Sequence, residues 1–415
     1  MGILEIINEF KSGCSCGRKH ETAVEDVRIA SGLVNHVGEI LRENGFSQNL
    51  LLVADKNTLK AAEGIVEGLK GFSVEYKIYD DLRVATMDDV NSVEALIAGR
   101  DISVLSVGSG SINDTCRLSS ARQDKKLCIF ATAPSMDGFA SYSAPIVAGG
   151  FKSSYSAKSP EVIIGDTKIL ANAPTALKSA GFGDMIAKYV GLVDWEISTL
   201  LTGEYYCEKI ANLTRSAVDE LMEMADKVTV NDEYTAGKIF EALLKTGIGM
   251  SFAQNSRPAS GSEHIIAHLI ECVELRDDII PNFHGEDVGV CTLEMLKYYN
   301  ELANCDVDTK REEVDWDDVY SFYGNMADDV RELNEPENVI DGVDEKMLKE
   351  KWGEIKKIIR SVPSYDECKV AMLKAGCKIT VEDIEKPQTL FDNCVKYSPY
   401  MRKRLTLLRM KDMII

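Results

Sequence analysis

The sequence predicts an α/β N-terminal domain built on a parallel sheet, followed by an all-α C-terminal domain. Short apolar runs alternate with helix-like segments up to residue 166, and beyond about residue 167 the β-rich runs stop and helical periodicity takes over. A length of 415 residues also exceeds what one hydrophobic core usually serves, so two domains are expected, residues 1–166 and 167–415.

Residues 24–45 have apolar spacing suited to a helix, and QNLLLVAD (48–55) follows as a buried strand ending in an acidic residue. Further strands are expected at VEYKIY (74–79), ISVLSVG (102–108), LCIFATAP (127–134) and EVIIGD (161–166). Helix-like segments separate them near 58–70, 86–99 and 111–122. In the second half, residues 184–201, 204–227, 232–253, 261–275 and 284–303 follow helical periodicity. The last hundred residues are helix-like, with an acidic stretch at 306–346 read as loops and solvated helix faces.

A hydrophobic fraction of 45% and a charged fraction of 27% describe an ordinary globular protein. The net charge of −20, without a long Lys/Arg run, would repel a nucleic-acid backbone and an anionic membrane surface, so neither is expected as a partner. The same charge means that any anion site must be locally basic or built from helix N-termini. The first residues lack the basic start and apolar run of a signal peptide, and no stretch approaches a membrane span, which predicts a cytoplasmic protein. Eleven mostly scattered cysteines suit reduced thiols better than a disulfide framework. The pair Cys14-x-Cys16 near His20 matches no common ligand spacing and is not taken as a metal site.

Strand ISVLSVG runs into GSGSIND (108–114) and a helix, the Rossmann-like context in which a backbone approaches a pyrophosphate at a helix N-terminus. The third glycine of GxGxxG is absent, so a plain tight turn is the competing reading. Asp55 is either the N-cap of the helix starting near Asn57 or an acceptor for a ribose hydroxyl. The segment FATAPSMDGFASYSAP (130–145) gathers hydroxyls around Asp137 after an apolar strand, where parallel-sheet proteins bind ligands. There Thr132, Ser135 and Ser141 are candidates for cofactor contacts and Asp137 for a substrate hydroxyl; the alternative is a Ser-rich surface loop.

In the helical half, AGFGDMIAK (180–188) places Asp184 at an expected helix start, where capping is the ordinary role. His264 and His268 lie four apart on one helix face, and His284 opens another helix. Three of the five histidines thus fall within 21 positions. Two imidazoles, one carboxylate and an open position form the ligand set of a catalytic divalent metal.

The motifs CSCGRKH, LLVADKNT, GSGSINDTCR, TAPSMDGFAS, GFGDMIAKYVGLVDW, SRPASGSEH and HGEDVGV occur in order over about residues 14–300. In them the chain resembles the sn-glycerol-1-phosphate dehydrogenases, above all the bacterial AraM type, within the iron-containing alcohol dehydrogenase and dehydroquinate synthase-like superfamily. The C-terminal hundred residues carry no such motif. The resemblance implies an enzyme that interconverts dihydroxyacetone phosphate and sn-glycerol 1-phosphate, hence a role in phospholipid metabolism. It implies NAD or NADP bound by Asp55, Gly108, Ser109, Gly110, Ser111, Ile112, Thr132, Ser135 and Ser141. Where the family's turn often reads GGG, this chain has Ser109.

Asp184, His264 and His284 are implied as metal ligands, Asp184 also standing at the substrate, with Asp137 and His268 as substrate and catalytic residues. Nickel, zinc and iron all suit such ligands, and the AraM-type likeness points to nickel. Asp55 favours NAD over NADP by repelling the extra phosphate. Arg257 and Lys188 are the candidate cations for the substrate phosphate, with surface ion pairs as the alternative role. A homodimer is an expectation from the resemblance alone. The rival readings are a glycerol or alcohol dehydrogenase of the same superfamily and a non-catalytic nucleotide-binding regulator.

Overall fold

The computed structural model describes residues 2–415. Helix α1 (Ile3–Lys11) buries Ile3, Ile6, Ile7 and Phe10, the apolar face its spacing dictates. Residues 24–45, expected as one helix, instead divide into strand β1 (Asp26–Ala30), a left-handed turn at Gly32 with φ 77°, and helix α2 (Val37–Glu43). The five residues of β1 gain ladder hydrogen bonds along the sheet edge, and that tertiary pairing overrides the apolar spacing.

The α/β unit continues through β2 (Asn49–Asp55), α3 (Lys56–Ala61), α4 (Ile65–Gly68) and β3 (Ser73–Tyr79). Next come α5 (Met87–Ile97), β4 (Ser103–Gly108), α6 (Gly110–Arg122) and β5 (Leu127–Ala131). The single helix expected at 58–70 is split before α4 by Gly64, whose φ is 95°. A hairpin absent from the sequence reading, β6 (Ser143–Ala148) and β7 (Phe151–Ser156), turns through Gly149 and Gly150, both with positive φ. β8 (Val162–Asp166) completes a six-stranded sheet in the order β1-β8-β5-β4-β2-β3, parallel throughout.

The sheet is covered on both faces, so its inner strands read as continuous apolar runs. Leu50, Leu52 and Ala54 of β2 face one hydrophobic layer with Val37, Leu41 and Ile65, while Leu51 and Val53 face the other with Ile112 and Cys116. The chain leaves β2 outward to β3, then returns past β2 to β4, β5 and β8. The carboxyl ends of β2 and β4 therefore flank a topological switch point, the place where open α/β sheets bind ligands.

After β8 every helix or strand is helical: α7 (Thr167–Ala171), α8 (Thr175–Ile186), α9 (Lys188–Thr202), α10 (Glu208–Met222), α11 (Glu233–Ala253), α12 (Ser262–Arg276) and α13 (His284–Ala303). Five more, α14 (Trp316–Tyr323), α15 (Ala327–Asn334), α16 (Glu345–Ile359), α17 (Tyr365–Lys374) and α18 (Gln388–Tyr397), pack on them through an apolar core that includes Leu348, Trp352 and Phe391. No helix among the described residues is long and apolar enough to cross a membrane.

Helices α8 and α13 meet backbone to backbone. A Cβ on Gly285 would lie 1.9 Å from the Ala180 carbonyl oxygen, and one on Gly183 would lie 2.5 Å from the Gly285 carbonyl oxygen. Neither obstacle is a flexible side-chain tip, so any larger residue forces the helices apart. Gly285→Ala is expected to lower stability by about 1–3 kcal/mol, read as an earlier midpoint in urea unfolding. An unchanged midpoint would show that the helices can separate freely.

Candidate active site at the sheet and helix junction

The crossing of α8 and α13 fixes the site. Asp184 sits in the last turn of α8, not at the helix start expected for it, and is fully buried. A capping role is thereby excluded, because an N-cap must precede its helix. His264 lies in the first turn of α12 and His284 is the first residue of α13. Ligand atoms of Asp184, His264 and His284 lie within 4.8 Å of one another. The Nε2 of His264 is 3.3 Å from Asp184 Oδ1.

Each imidazole is held from behind. His264 Nδ1 is 2.6 Å from Glu263 Oε1, and His284 Nδ1 is 3.0 Å from Glu271 Oε1. A carboxylate on Nδ1 fixes the tautomer that leaves the Nε2 lone pair free for a metal. Glu271 also takes His268 Nδ1 at 3.0 Å through its other oxygen, and Lys152 of the hairpin reaches that oxygen at 2.7 Å. Burial opposes the Glu271 charge, but Lys152 and the two histidines hold its carboxyl well below the ordinary range. Burial pushes His268 well below the ordinary imidazole value despite Glu271, leaving it neutral. Its ring stacks on that of His284, with centroids 5.2 Å apart and planes 21° from parallel.

Lys188 and Arg257 are not free for a phosphate. Lys188 is fully buried, with its ammonium 2.6 Å from both Asp137 Oδ2 and Asp184 Oδ1. Burial would raise the Asp184 carboxyl, yet Lys188, His264 and His284 hold it far below the usual carboxylate range. Arg257 points into the protein, bonding Glu204 through Nε at 2.8 Å and the Leu405 carbonyl through Nη1 at 2.7 Å. Sequence alone places both residues beside the metal motifs but leaves open which way they point.

A cavity of about 510 Å³ lies between the sheet's carboxyl edge and the helices. Its walls include Asp55, Ser109, Gly110, Ser111, Ile112, Ser135, Asp137, Ser141, His264, His268 and His284. Thr132 stands apart: it is buried, and its N–H bonds the Gly108 carbonyl at 3.1 Å. Asp55 takes the capping role and also lines the cavity. Its Oδ1 caps α3 by accepting from the Thr58 N–H at 2.7 Å. The α6 N-terminus, with no side-chain cap on Ser109, opens onto the same space.

Several residues that build the site were absent from the sequence reading. Arg117, fully buried on α6, donates to the carbonyls of Ser141 at 2.9 Å and Ser143 at 2.7 Å, fixing the loop that carries Asp137. Asp194 accepts from the Ser262 N–H at 2.8 Å, the Tyr299 hydroxyl at 2.7 Å and the Leu407 N–H at 2.9 Å. It thereby anchors the start of α12, α13 and the C-terminal segment to one another. Arg404, from the region without recognisable motifs, holds the loop before α12 through the Ser260 carbonyl at 2.6 Å. The Arg83 guanidinium and Lys152 are the cations in the cavity wall beside Arg117.

The fold is that of the iron-containing alcohol dehydrogenase class, whose family model matches residues 28–174. Maleylacetate reductase from Agrobacterium tumefaciens has a similar fold, with a TM-score of 0.63 at 12% identity over 94% of this chain and 95% of that one. A glycerol-1-phosphate dehydrogenase (NAD(P)+) of Halalkalibacterium halodurans is 28% identical over 98% of this chain and 97% of its own length. The namesake from Bacillus velezensis is 32% identical over 72% of this chain and 77% of its own length. The chain belongs to the glycerol-1-phosphate dehydrogenase family.

Glu271 orients two of the three histidines at once. Glu271→Gln is expected to weaken divalent-metal affinity about 10- to 100-fold, the usual cost of losing such a hydrogen-bond partner. Competition against a chromophoric chelator measures it, and wild-type affinity would mean that Glu271 orients nothing.

Proposed function

We propose that this protein interconverts dihydroxyacetone phosphate and sn-glycerol 1-phosphate with a nicotinamide cofactor and one divalent metal. The observation that carries the reading is the convergence of buried Asp184 with His264 and His284, two histidines in the wall of a cavity onto which the α6 N-terminus also opens. The donor set fits a catalytic metal: two imidazoles with their Nδ1 atoms already engaged, and one carboxylate. The crevice fits a dinucleotide, with backbone N–H groups of Ser109–Ile112 for the pyrophosphate and Asp55 for a ribose hydroxyl. Asp81 adds a second carboxylate to that wall, which favours NAD over NADP. When bound, the metal supplies Lewis acidity at the ketone oxygen and the cofactor supplies the hydride.

The chain's own groups do the rest. Neutral His268, with Nδ1 on Glu271, keeps Nε2 available to hold or pass a proton at a substrate hydroxyl. Asp137, fixed by Lys188, orients a hydroxyl. Lys188 and Arg257 do not line the cavity, whereas Lys152 stands in its wall beside the histidines, paired with Glu271, and is the cation for the substrate phosphate on this reading.

Two measurements test the reading. NADH oxidation is expected with dihydroxyacetone phosphate and to be far slower with dihydroxyacetone; equal rates would make the enzyme a glycerol dehydrogenase. Activity should vanish on chelation, and re-addition of nickel, zinc and iron in turn identifies the working metal. Lys152→Met removes a charge-assisted hydrogen bond of about 1.5–3 kcal/mol, so the KM for dihydroxyacetone phosphate should rise about 10- to 150-fold. Because Lys152 also pairs with Glu271, some loss on dihydroxyacetone is expected too, but the loss on the phosphorylated substrate should be the larger; an equal loss on both would exclude Lys152 as the phosphate cation.

A further inference from the structure

A second set of metal-ligand side chains lies outside the cavity. Cys14, Cys16, His20 and Cys207 bring one donor atom each to within 4.8 Å of the others. The Cys14 and Cys207 sulfurs are 3.6 Å apart, Cys16 Sγ is 3.2 Å from His20 Nε2, and Cys207 Sγ is 3.8 Å from the same nitrogen. The edges of a tetrahedron around zinc, with Zn–S near 2.3 Å and Zn–N near 2.0 Å, come to about 3.5–3.8 Å. The Cys14–Cys207 and Cys207–His20 separations match such edges, and the Cys16–His20 separation is somewhat shorter.

The surroundings favour an ion over four idle side chains. His20 is 1% exposed and Cys207 is 1% exposed. The His20 Nδ1 lies 3.0 Å from the Phe252 carbonyl, a contact in which only Nδ1–H can donate, so Nε2 carries a lone pair toward the sulfurs. Phe10 and Phe252 pack around that ring, excluding water from one side. The Tyr205 hydroxyl is 3.5 Å from Cys16 Sγ, a donor for a thiolate. Arg18 lies over the Tyr205 ring at 3.5 Å, a cation beside what three thiolates and a zinc ion would leave as one net negative charge.

We infer that Cys14, Cys16, His20 and Cys207 form a structural zinc site, distinct from the catalytic metal centre. All four positions are protein ligands, so no position is left for substrate, which is the mark of a structural rather than a catalytic ion. Three of the ligands come from one short loop after α1, and the fourth is the residue preceding α10. The ion ties that loop to the α9–α10 connection, while His20 fastens it to the end of α11. From that helix end the chain runs through residues 254–261 to α12 and His264, so the zinc braces the base of the loop that leads to this proposed ligand of the catalytic metal.

The test is metal counting on the full chain, expressed with zinc and purified under reductant. His264→Ala should keep one zinc per chain, and so should the wild type after dialysis against a chelator that strips the catalytic ion. Titrating either with an organomercurial, with a chromophoric zinc indicator present, should release that one equivalent. The double variant Cys14→Ser, Cys207→Ser should lose one equivalent and keep the other. Cobalt in place of zinc should give a thiolate-to-cobalt charge-transfer band in His264→Ala, absent from the cysteine variant. If His264→Ala contains no metal, or mass spectrometry of the wild type shows a Cys14–Cys207 disulfide, the proposal fails. The mercurial release needs no cysteine variant, so a misfolded double mutant cannot obscure the outcome.

Discussion

The close approach of α8 and α13 at Gly183 and Gly285 is the constraint on which the site depends. Only backbones without side chains come near enough for Asp184, at the end of one helix, to share a point in space with His284, at the start of another. Steric exclusion sets this geometry before any electrostatic term acts, because protein interiors are packed too densely to absorb an extra methyl at a backbone contact. The glycines of AGFGD and HGEDVG are packing residues whose effect is chemical.

Around that crossing, charge is arranged in pairs. Glu263 and Glu271 lie behind the imidazoles, and Lys152 neutralises Glu271 from the hairpin. Every ionised group deep in the wall has a partner, as burial requires. The sheet contributes its switch point and an open helix N-terminus, the helices contribute the imidazoles, and the cavity exists because the two meet at the strands' carboxyl edge.

Much of this was legible in the sequence, and the failures have physical causes. The inner strands and long helices follow from apolar runs and periodicity, since burial on both faces leaves little else for such residues to do. The stretch around β1 misled because its apolar spacing also suits a helix, and only pairing with β8 decides between them. The hairpin carried a Gly149–Gly150 turn signal in plain view. Spacing brought out the histidines, but not Glu271, whose role depends on the geometry between helices. Cys14 and Cys16 fit no ligand pattern because a partner thiol, Cys207, lies 193 residues from Cys14. Direction was the other blind spot: Lys188 and Arg257 stand beside the right motifs, yet one is buried between two carboxylates and the other faces inward.

Lys188 gives the site a resident counter-ion. Its ammonium bridges Asp137 and Asp184, supplying one positive charge between a partly buried and a fully buried carboxylate. A divalent cation at the proposed site would therefore meet walls that are partly neutralised and already folded, and would share Asp184 with a fixed like charge. On that reading the pocket is a socket, its two carboxylates held in place by Lys188 whether or not a metal stands there.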